Sequence, residues 1–105
     1  MNVDVNIYKL SDLYKNLSDY TRLKLLLFLL DGEKDSNEIA DYLDVTRAIV
    51  VHQLMILKEA KFIGVNRIDK KNYYFLQPHI LRVLKNDYSV VKKFKDKKKY
   101  KTRFV

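Results

Sequence analysis

The chain has 105 residues, 48% of them hydrophobic, with two glycines, one proline and no cysteine. This composition indicates one packed, helix-rich domain, and it excludes disordered polypeptides, disulfides, thiolate metal sites and cysteine nucleophiles. The net charge of +8 is uneven: residues 1–45 hold 5 basic and 9 acidic side chains, residues 46–91 hold 8 and 3, and residues 92–105 hold 8 and 1. A basic second half favours nucleic acid over membrane as the partner.

Three helices are predicted in the first part of the chain. Apolar residues at spacings of three and four predict an amphipathic helix over residues 7–17. Asp19 predicts the N-cap of a second helix, whose residues 23–30 are apolar on almost every side and therefore indicate a core helix. The polar run 31–35 breaks the pattern, and Asp35 with Glu38 predicts a capping box that opens a third helix over residues 36–43.

The second part predicts a helix, a hairpin and a further helix. Thr46 is placed to cap a fourth helix that ends near Lys61. Residues 62–68 and 73–76 predict two strands around a basic turn at residues 69–72. Pro78 ends the second strand, and apolar spacing from Ile80 onward predicts a fifth helix of at least four turns, followed by a basic tail at residues 96–105.

No membrane segment or signal peptide is expected. The longest apolar run, residues 25–30, is far shorter than the roughly 20 residues that span a bilayer, and the N-terminus lacks a basic stretch followed by an apolar one. We therefore expect a cytoplasmic protein. A domain of this size also buries a modest share of its surface, which favours dimerisation.

Two helices joined by about three residues, with the small Ala40 where the helices approach, and a basic hairpin after them predict a helix-turn-helix with a wing. Three segments carry a family resemblance: LSDYTRLKLL at residues 17–26, VTRAIVVHQL at 45–54 and YYFL at 73–76. They resemble the ArsR/SmtB family of winged-helix repressors, and the resemblance covers about residues 7–91. It implies a mainly α, dimeric winged helix-turn-helix with a small β-hairpin, formed by residues 1–95.

The resemblance further implies a homodimeric, sequence-specific repressor of transcription. Its partner would be double-stranded DNA, bound through a recognition helix at residues 46–61 and a wing at residues 63–76. A twofold dimer predicts an inverted-repeat operator with half-sites about 10 base pairs apart, or a multiple of that distance.

The fourth helix separates into two sides at about 100° per residue. Its core side holds Val50, Leu54 and Leu57, and its opposite side holds Ala48, Val51, His52 and Met55. We expect Arg47 and His52 to bond bases or phosphates, and Ala48 and Val51 to contact thymine methyl groups. Thr46 and Gln53 also match the family and are included among the candidate DNA-binding residues, although Gln53 projects near the core side, where a structural hydrogen bond is preferred. The alternative is that Ala48, Val51 and His52 only fill a solvated helix face and that DNA shape supplies specificity.

The wing is predicted to contact phosphates through Arg67, Lys70 and Lys71. Its turn lacks the glycine that is frequent in the family, but Asp69 and Asn72 tolerate the left-handed backbone of a tight hairpin. The alternative is an exposed charged loop without a role. The basic tail likewise either adds nonspecific DNA affinity or is only solvated.

The resembled family forms its dimer through the first and fifth helices. The interface candidates in this chain are Tyr14, Leu17, Ile80, Leu84, Tyr88 and Val91. The alternative is that the same residues only cover the second helix within one subunit.

No metal or cofactor is predicted. The ligand sets of the family's metal sensors, cysteines near the third helix or paired Asp and His on the fifth, are missing, and His79 alone is a poor site. An inducer, if one exists, is a small molecule or a protein. An enzyme is excluded because the two histidines lie on different elements and no glycine-rich phosphate loop is present. The remaining alternatives are a protein-interaction module that uses Ala48, Val51 and Met55, and, less favoured, an RNA-binding protein.

Overall fold

The computed structural model describes the backbone of residues 3–96 and the side chains of residues 7–87. This part contains five α-helices and a small antiparallel sheet of three strands. The elements are α1 (Val3–Leu17), α2 (Tyr20–Phe28), a 3₁₀ turn (Leu29–Asp31), β1 (Lys34–Asp35), α3 (Ser36–Leu43), α4 (Arg47–Glu59), β2 (Ile63–Ile68), β3 (Lys71–Leu76) and α5 (Pro78–Asp96). Residues 97–105 of the predicted tail and the side chains of Tyr88 and Val91 lie outside the described residues.

The predicted starts of α2, α3 and α4 are confirmed, whereas α1 begins at Val3, four residues before its predicted start. The side chains of Asp19, Asp35 and Thr46 each accept a hydrogen bond from the backbone N–H three residues later, at 2.9, 2.8 and 3.4 Å. Glu38 completes the capping box by accepting from the backbone N–H of Asp35. These caps satisfy N–H groups that have no partner within their helices, which explains why local sequence fixes the starts of α2, α3 and α4.

The sheet has one strand more than the sequence predicted. β1 pairs with β3, Lys34 opposite Tyr74 and Asp35 opposite Tyr73, so the strand order is β1-β3-β2. A strand of two residues has no periodicity of its own, and it forms here because the hairpin supplies a distant partner. The pairing attaches the wing to the start of α3.

The wing turn is shorter than predicted. Only Asp69 and Lys70 connect β2 to β3, and both have positive φ, 49° and 68°, as in a type I′ turn. The expectation that Asn72 supplies a left-handed residue was wrong, because Lys71 and Asn72 already belong to β3. Lys70, rather than Asn72, is the second residue of the turn with a left-handed backbone.

The close approach of the two long strands depends on a glycine. Gly64 lies opposite Phe75, and a Cβ at position 64 would be 2.8 Å from the Cε2 atom of that ring. The missing side chain therefore leaves the room that the ring of Phe75 occupies.

The hydrophobic core forms around α2, as predicted. Leu25 and Leu26 are completely buried, and side chains from α3, α4, the sheet and α5 surround them. From α5, Ile80 and Leu84 are 1% and 4% exposed, so they belong to the core of the single subunit. Both were candidates for the dimer interface, and their burial agrees with the alternative that they only cover α2 within one subunit.

The apolar stripe of α1 divides between two environments. Leu13 and Leu17 pack against the core, whereas Ile7, Leu10 and Tyr14 are mostly exposed. The single subunit therefore uses only part of the stripe that the sequence predicted.

An aromatic stack joins α2 to α3. The rings of Phe28 and Tyr42 are nearly parallel, with centroids 4.0 Å apart. Nζ of Lys34 lies 5.1 Å from the centroid of the Phe28 ring, and Nζ of Lys24 lies 5.4 Å from that of Tyr42. None of the described helices combines the length and the apolar character that crossing a bilayer requires.

Candidate nucleic-acid interface

The helix-turn-helix consists of α3, α4 and the three residues between them. Asp44 ends α3 in the left-handed conformation, with φ 55°, and the N–H of Val45 bonds the carbonyl oxygen of Ala40 at 3.2 Å. Asp tolerates this conformation, which lets the chain turn sharply before Thr46 caps α4. Ala40 is buried, as expected of a small residue where two helices approach.

The two predicted sides of α4 are confirmed. Val50, Leu54 and Leu57 are buried in the core, and Ala48, Val51, His52 and Met55 are exposed on the opposite side. Thr46 and Arg47 lie at the start of the helix, and both are exposed. Ile49 is exposed as well, although no role was predicted for it. The N-terminal half of α4 therefore presents small, apolar and basic groups to solvent.

Gln53 makes a structural hydrogen bond at the half-buried edge of α4. Its Oε1 accepts from Nη1 of Arg22 at 3.3 Å, while Nε of Arg22 donates to the carbonyl oxygen of Asn16. Nη2 of Arg22 also lies 3.9 Å from a carboxylate oxygen of Asp19. Arg22 thus joins α4 to the junction of α1 and α2, which agrees with the structural interpretation of Gln53. Sequence reasoning missed Arg22 because its partner is 31 positions away.

A basic cleft lies between the start of α4, the start of α3 and the wing. We call it the wing cleft; its volume is about 260 Å³, and its lining includes Arg47, Arg67, Lys70 and Lys71. Asp35 is the one acidic residue of the lining. The structure therefore brings the cation at the start of the predicted recognition helix together with the three predicted wing cations.

Asn37 and Ser36, in the first turn of α3, also line the wing cleft. Sequence reasoning missed them because β1, which brings this turn to the wing, was not predicted.

The three wing cations are not equivalent. Nζ of Lys71 donates to Oδ2 of Asp35 at 3.1 Å, and Nη1 of Arg67 donates to Oδ1 of Asn72 at 3.0 Å. Lys70 makes no such bond with the residues whose side chains are described. Lys71 and Arg67 are therefore already engaged within the protein, whereas the ammonium group of Lys70 is presented to solvent.

The Asp35 carboxylate is stabilised in its charged form. The backbone N–H of Glu38 and, to a lesser extent, the ammonium of Lys71 hold the pKa of Asp35 below its ordinary value of 3.8, although burial opposes the shift. The hydrogen bond to Asp35 correspondingly raises the pKa of Lys71 above 10.5. Both groups are therefore charged at neutral pH.

Because the pKa of Asp35 is lowered in the folded protein, the free energy of unfolding depends on pH. Above pH 3.8 the ionised carboxylate contributes its full share to the free energy of unfolding, and this share is lost as pH falls through the folded pKa. We expect Asp35→Asn to reduce the difference between the free energies of unfolding at pH 7 and pH 3, measured with urea. Asp41→Asn, which changes an exposed carboxylate of the same helix, is the control and should retain the wild-type difference. Equal pH dependence in all three proteins would contradict the role of Asp35.

The two histidines lie on separate elements of the described structure. His52 and His79 are both exposed, on α4 and at the start of α5. Among the side chains of residues 7–87, no three His, Cys, Asp or Glu residues converge closely enough to hold a metal ion.

The chain is similar to a transcriptional repressor over most of its length. It is 32% identical over 73 residues to the transcriptional repressor SdpR of Bacillus subtilis strain 168, a match that covers 70% of this chain and 81% of that protein. The model of the arsR family of bacterial regulatory proteins matches residues 19–64. The chain belongs to the ArsR family. The family resemblance seen in the sequence is therefore confirmed.

Solved structures confirm the winged helix-turn-helix fold of this ArsR-family chain. The homodimeric winged helix-turn-helix DNA-binding domain of Mb0332 from Mycobacterium bovis matches with a TM-score of 0.78 at 20% identity, covering 87% of this chain and 85% of that one. HlyU from Vibrio cholerae matches with a TM-score of 0.75 at 20% identity, covering 81% and 94%. The ArsR-family protein is a DNA-binding transcriptional regulator, which decides between the DNA-binding and protein-interaction alternatives.

Proposed function

We propose that this chain is a homodimeric transcriptional repressor that binds an inverted-repeat operator in double-stranded DNA. Residues 46–61 would enter the major groove, and the wing at residues 63–76 would lie along the adjacent phosphates. Such a protein acts by binding and carries out no catalysis. Its DNA partner would place its site of action in the cytoplasm.

The wing cleft is the observation that carries this proposal. Arg47, at the first turn of α4, and the cations of the wing line one concave surface. DNA lying against this surface would meet base edges at α4 and backbone phosphates at the wing at the same time. The shared cleft favours phosphate binding by the wing over the alternative of a solvated loop without a role.

Each polar or small residue at the start of α4 has a chemistry that suits DNA. Arg47 offers a guanidinium fork for a guanine edge or a phosphate, and His52 offers a ring N–H. Ala48 and Val51 offer methyl groups to thymine. Thr46 already accepts the N–H of Ile49, and its hydroxyl proton remains able to bond a phosphate.

The exposed part of the α1 stripe supports a twofold dimer. Ile7, Leu10 and Tyr14 lie at helical spacing on one side of α1, and the subunit that contains them does not cover them. A second copy would bury these side chains against its own α1 and α5. Ile80 and Leu84 have almost no surface left for that purpose, so Tyr14 and Leu17 are the stronger members of the sequence-based interface candidates among the described residues.

Titration with DNA tests the proposed function. The purified protein is added to a labelled duplex that carries the region upstream of its own gene, with random duplex as competitor, at one fixed salt concentration. A sequence-specific repressor is expected to bind the operator at least about 1,000-fold more tightly than the random duplex. Footprinting should then protect two half-sites about 10 base pairs apart, or a multiple of that distance.

Equal affinity for the two duplexes would overturn the proposal. A zinc or nickel series serves as the control for metal sensing, and we expect no change of operator affinity with either ion.

A further inference from the structure

The only acidic residue that lines the wing cleft, among the residues whose side chains are described, is bonded to one of its cations. Oδ2 of Asp35 accepts from Nζ of Lys71 at 3.1 Å. The Asp35 side chain is 10% exposed and the Lys71 side chain 58% exposed, so the pair lies at the edge of the cleft with its carboxylate on the inner side. A carboxylate here opposes DNA binding by its charge alone, so any contribution that it makes to binding comes through its contacts within the protein.

The two oxygens of Asp35 serve two different elements. Oδ1 accepts the N–H of Glu38 and so caps α3, the first helix of the helix-turn-helix. Oδ2 bonds Lys71, which is the first residue of β3 and directly follows the wing turn. The backbone adds to this connection, because Asp35 pairs with Tyr73 in the sheet. One carboxylate thus connects the helix-turn-helix to the base of the wing.

We propose that Asp35 is a positioning residue for DNA binding and that Lys71 contributes through this ion pair rather than as a phosphate ligand. The pair holds the base of the wing against the start of α3, which directs Lys70 and Arg67 to the DNA backbone. The inference rests on the proposed function and assigns unequal roles to the wing cations within it.

The proposal predicts the opposite sign from simple electrostatics. Asp35→Asn removes a negative charge from a surface that meets phosphates, and charge alone would then tighten binding to every duplex. If the carboxylate positions the wing, the same substitution weakens binding. Asn is as good an N-cap as Asp, so the start of α3 is retained while the ion pair is removed.

The experiment compares Asp35→Asn, Lys71→Gln and the double variant on the operator and on random duplex across a salt series. Lys70→Gln is the matched control, since it removes the same charge from the neighbouring residue without breaking an ion pair. We expect each single variant at Asp35 and Lys71 to weaken binding about fivefold, and the double variant to be no weaker than either single one. The Asp35→Asn and Lys71→Gln variants should keep the wild-type salt dependence. Lys70→Gln, in contrast, should lower the logarithmic salt slope by about 0.9 for each phosphate that the ammonium group of Lys70 neutralises.

Three outcomes would overturn the inference: tighter binding by Asp35→Asn, additive effects in the double variant, or a salt slope for Lys71→Gln that falls as it does for Lys70→Gln. Thermal unfolding of each variant verifies that the subunit is folded during the titration. If the wild-type protein does not prefer the operator, the proposed function fails instead. The same affinities and salt slopes on random duplex then still decide the role of the ion pair.

Discussion

The double substitution Leu10→Glu with Tyr14→Glu is expected to produce folded monomers that bind the operator at least about 100-fold more weakly than the wild type. In the described subunit these two side chains are 51% and 61% exposed and lie outside the core cluster, so they can be replaced without opening the core. In the proposed dimer they would be buried, and carboxylates there would lack partners. A monomer engages a single half-site, and it therefore lacks the gain in affinity from binding both half-sites at once.

Light scattering and DNA titration on the same samples measure this prediction. Tyr20→Glu is the matched control, because Tyr20 is an exposed aromatic residue at the start of α2, outside the α1 stripe. We expect this variant to remain dimeric with wild-type affinity. A Leu10→Glu, Tyr14→Glu protein that is still dimeric would place the interface elsewhere. Ile80 and Leu84 are unsuitable for this test, because replacing a buried core residue destabilises the subunit itself.

Arg47→Ala is expected to lower operator affinity at least about tenfold and to affect random duplex much less. Arg47 is exposed at the first position of α4 and lines the wing cleft. In a twofold dimer the substitution acts at both half-sites, which enlarges the effect. A guanidinium fork that bonds a guanine edge discriminates between base pairs, whereas one that bonds only a phosphate does not.

The comparison of operator with random duplex therefore decides the role of Arg47. Lys58→Ala is the matched control, since Lys58 is an exposed cation in the last turn of the same helix. We expect its effect on operator affinity to be small. Equal weakening on both duplexes for Arg47→Ala would assign Arg47 to phosphate binding and leave base recognition to the other exposed residues of α4.

Local chemistry explains which parts of the fold were predictable. The caps at Asp19, Asp35 and Thr46 and the apolar spacing of each helix act over three or four residues, so the sequence alone reveals them. β1 forms by pairing with Tyr73 and Tyr74, which lie far along the chain, and its own two residues carry no pattern that predicts a strand. The predicted wing turn was two residues longer than the observed one, because strand pairing rather than turn composition determines where β3 begins.

The same distinction applies to the candidate interface. Helical projection separated the two sides of α4 correctly, since that geometry is intrinsic to one helix. The bonds of Lys71 with Asp35 and of Gln53 with Arg22 join distant segments, and the sequence could not show that these two polar groups were already engaged. For α5, periodicity identified an apolar side but not whether the subunit or a partner covers Ile80 and Leu84.

The packing of Phe75 over Gly64 has a consequence for natural variation in the family. Because a Cβ at position 64 would overlap the ring that lies opposite, Gly64 cannot gain a side chain while the ring of Phe75 stays where it is. Relatives with a side chain at the position of Gly64 should carry a smaller residue at the position of Phe75. Their wings would then have a differently filled inner surface while the strand register is preserved. Correlated substitution at these two sites would be the evolutionary record of one cross-strand neighbour pair.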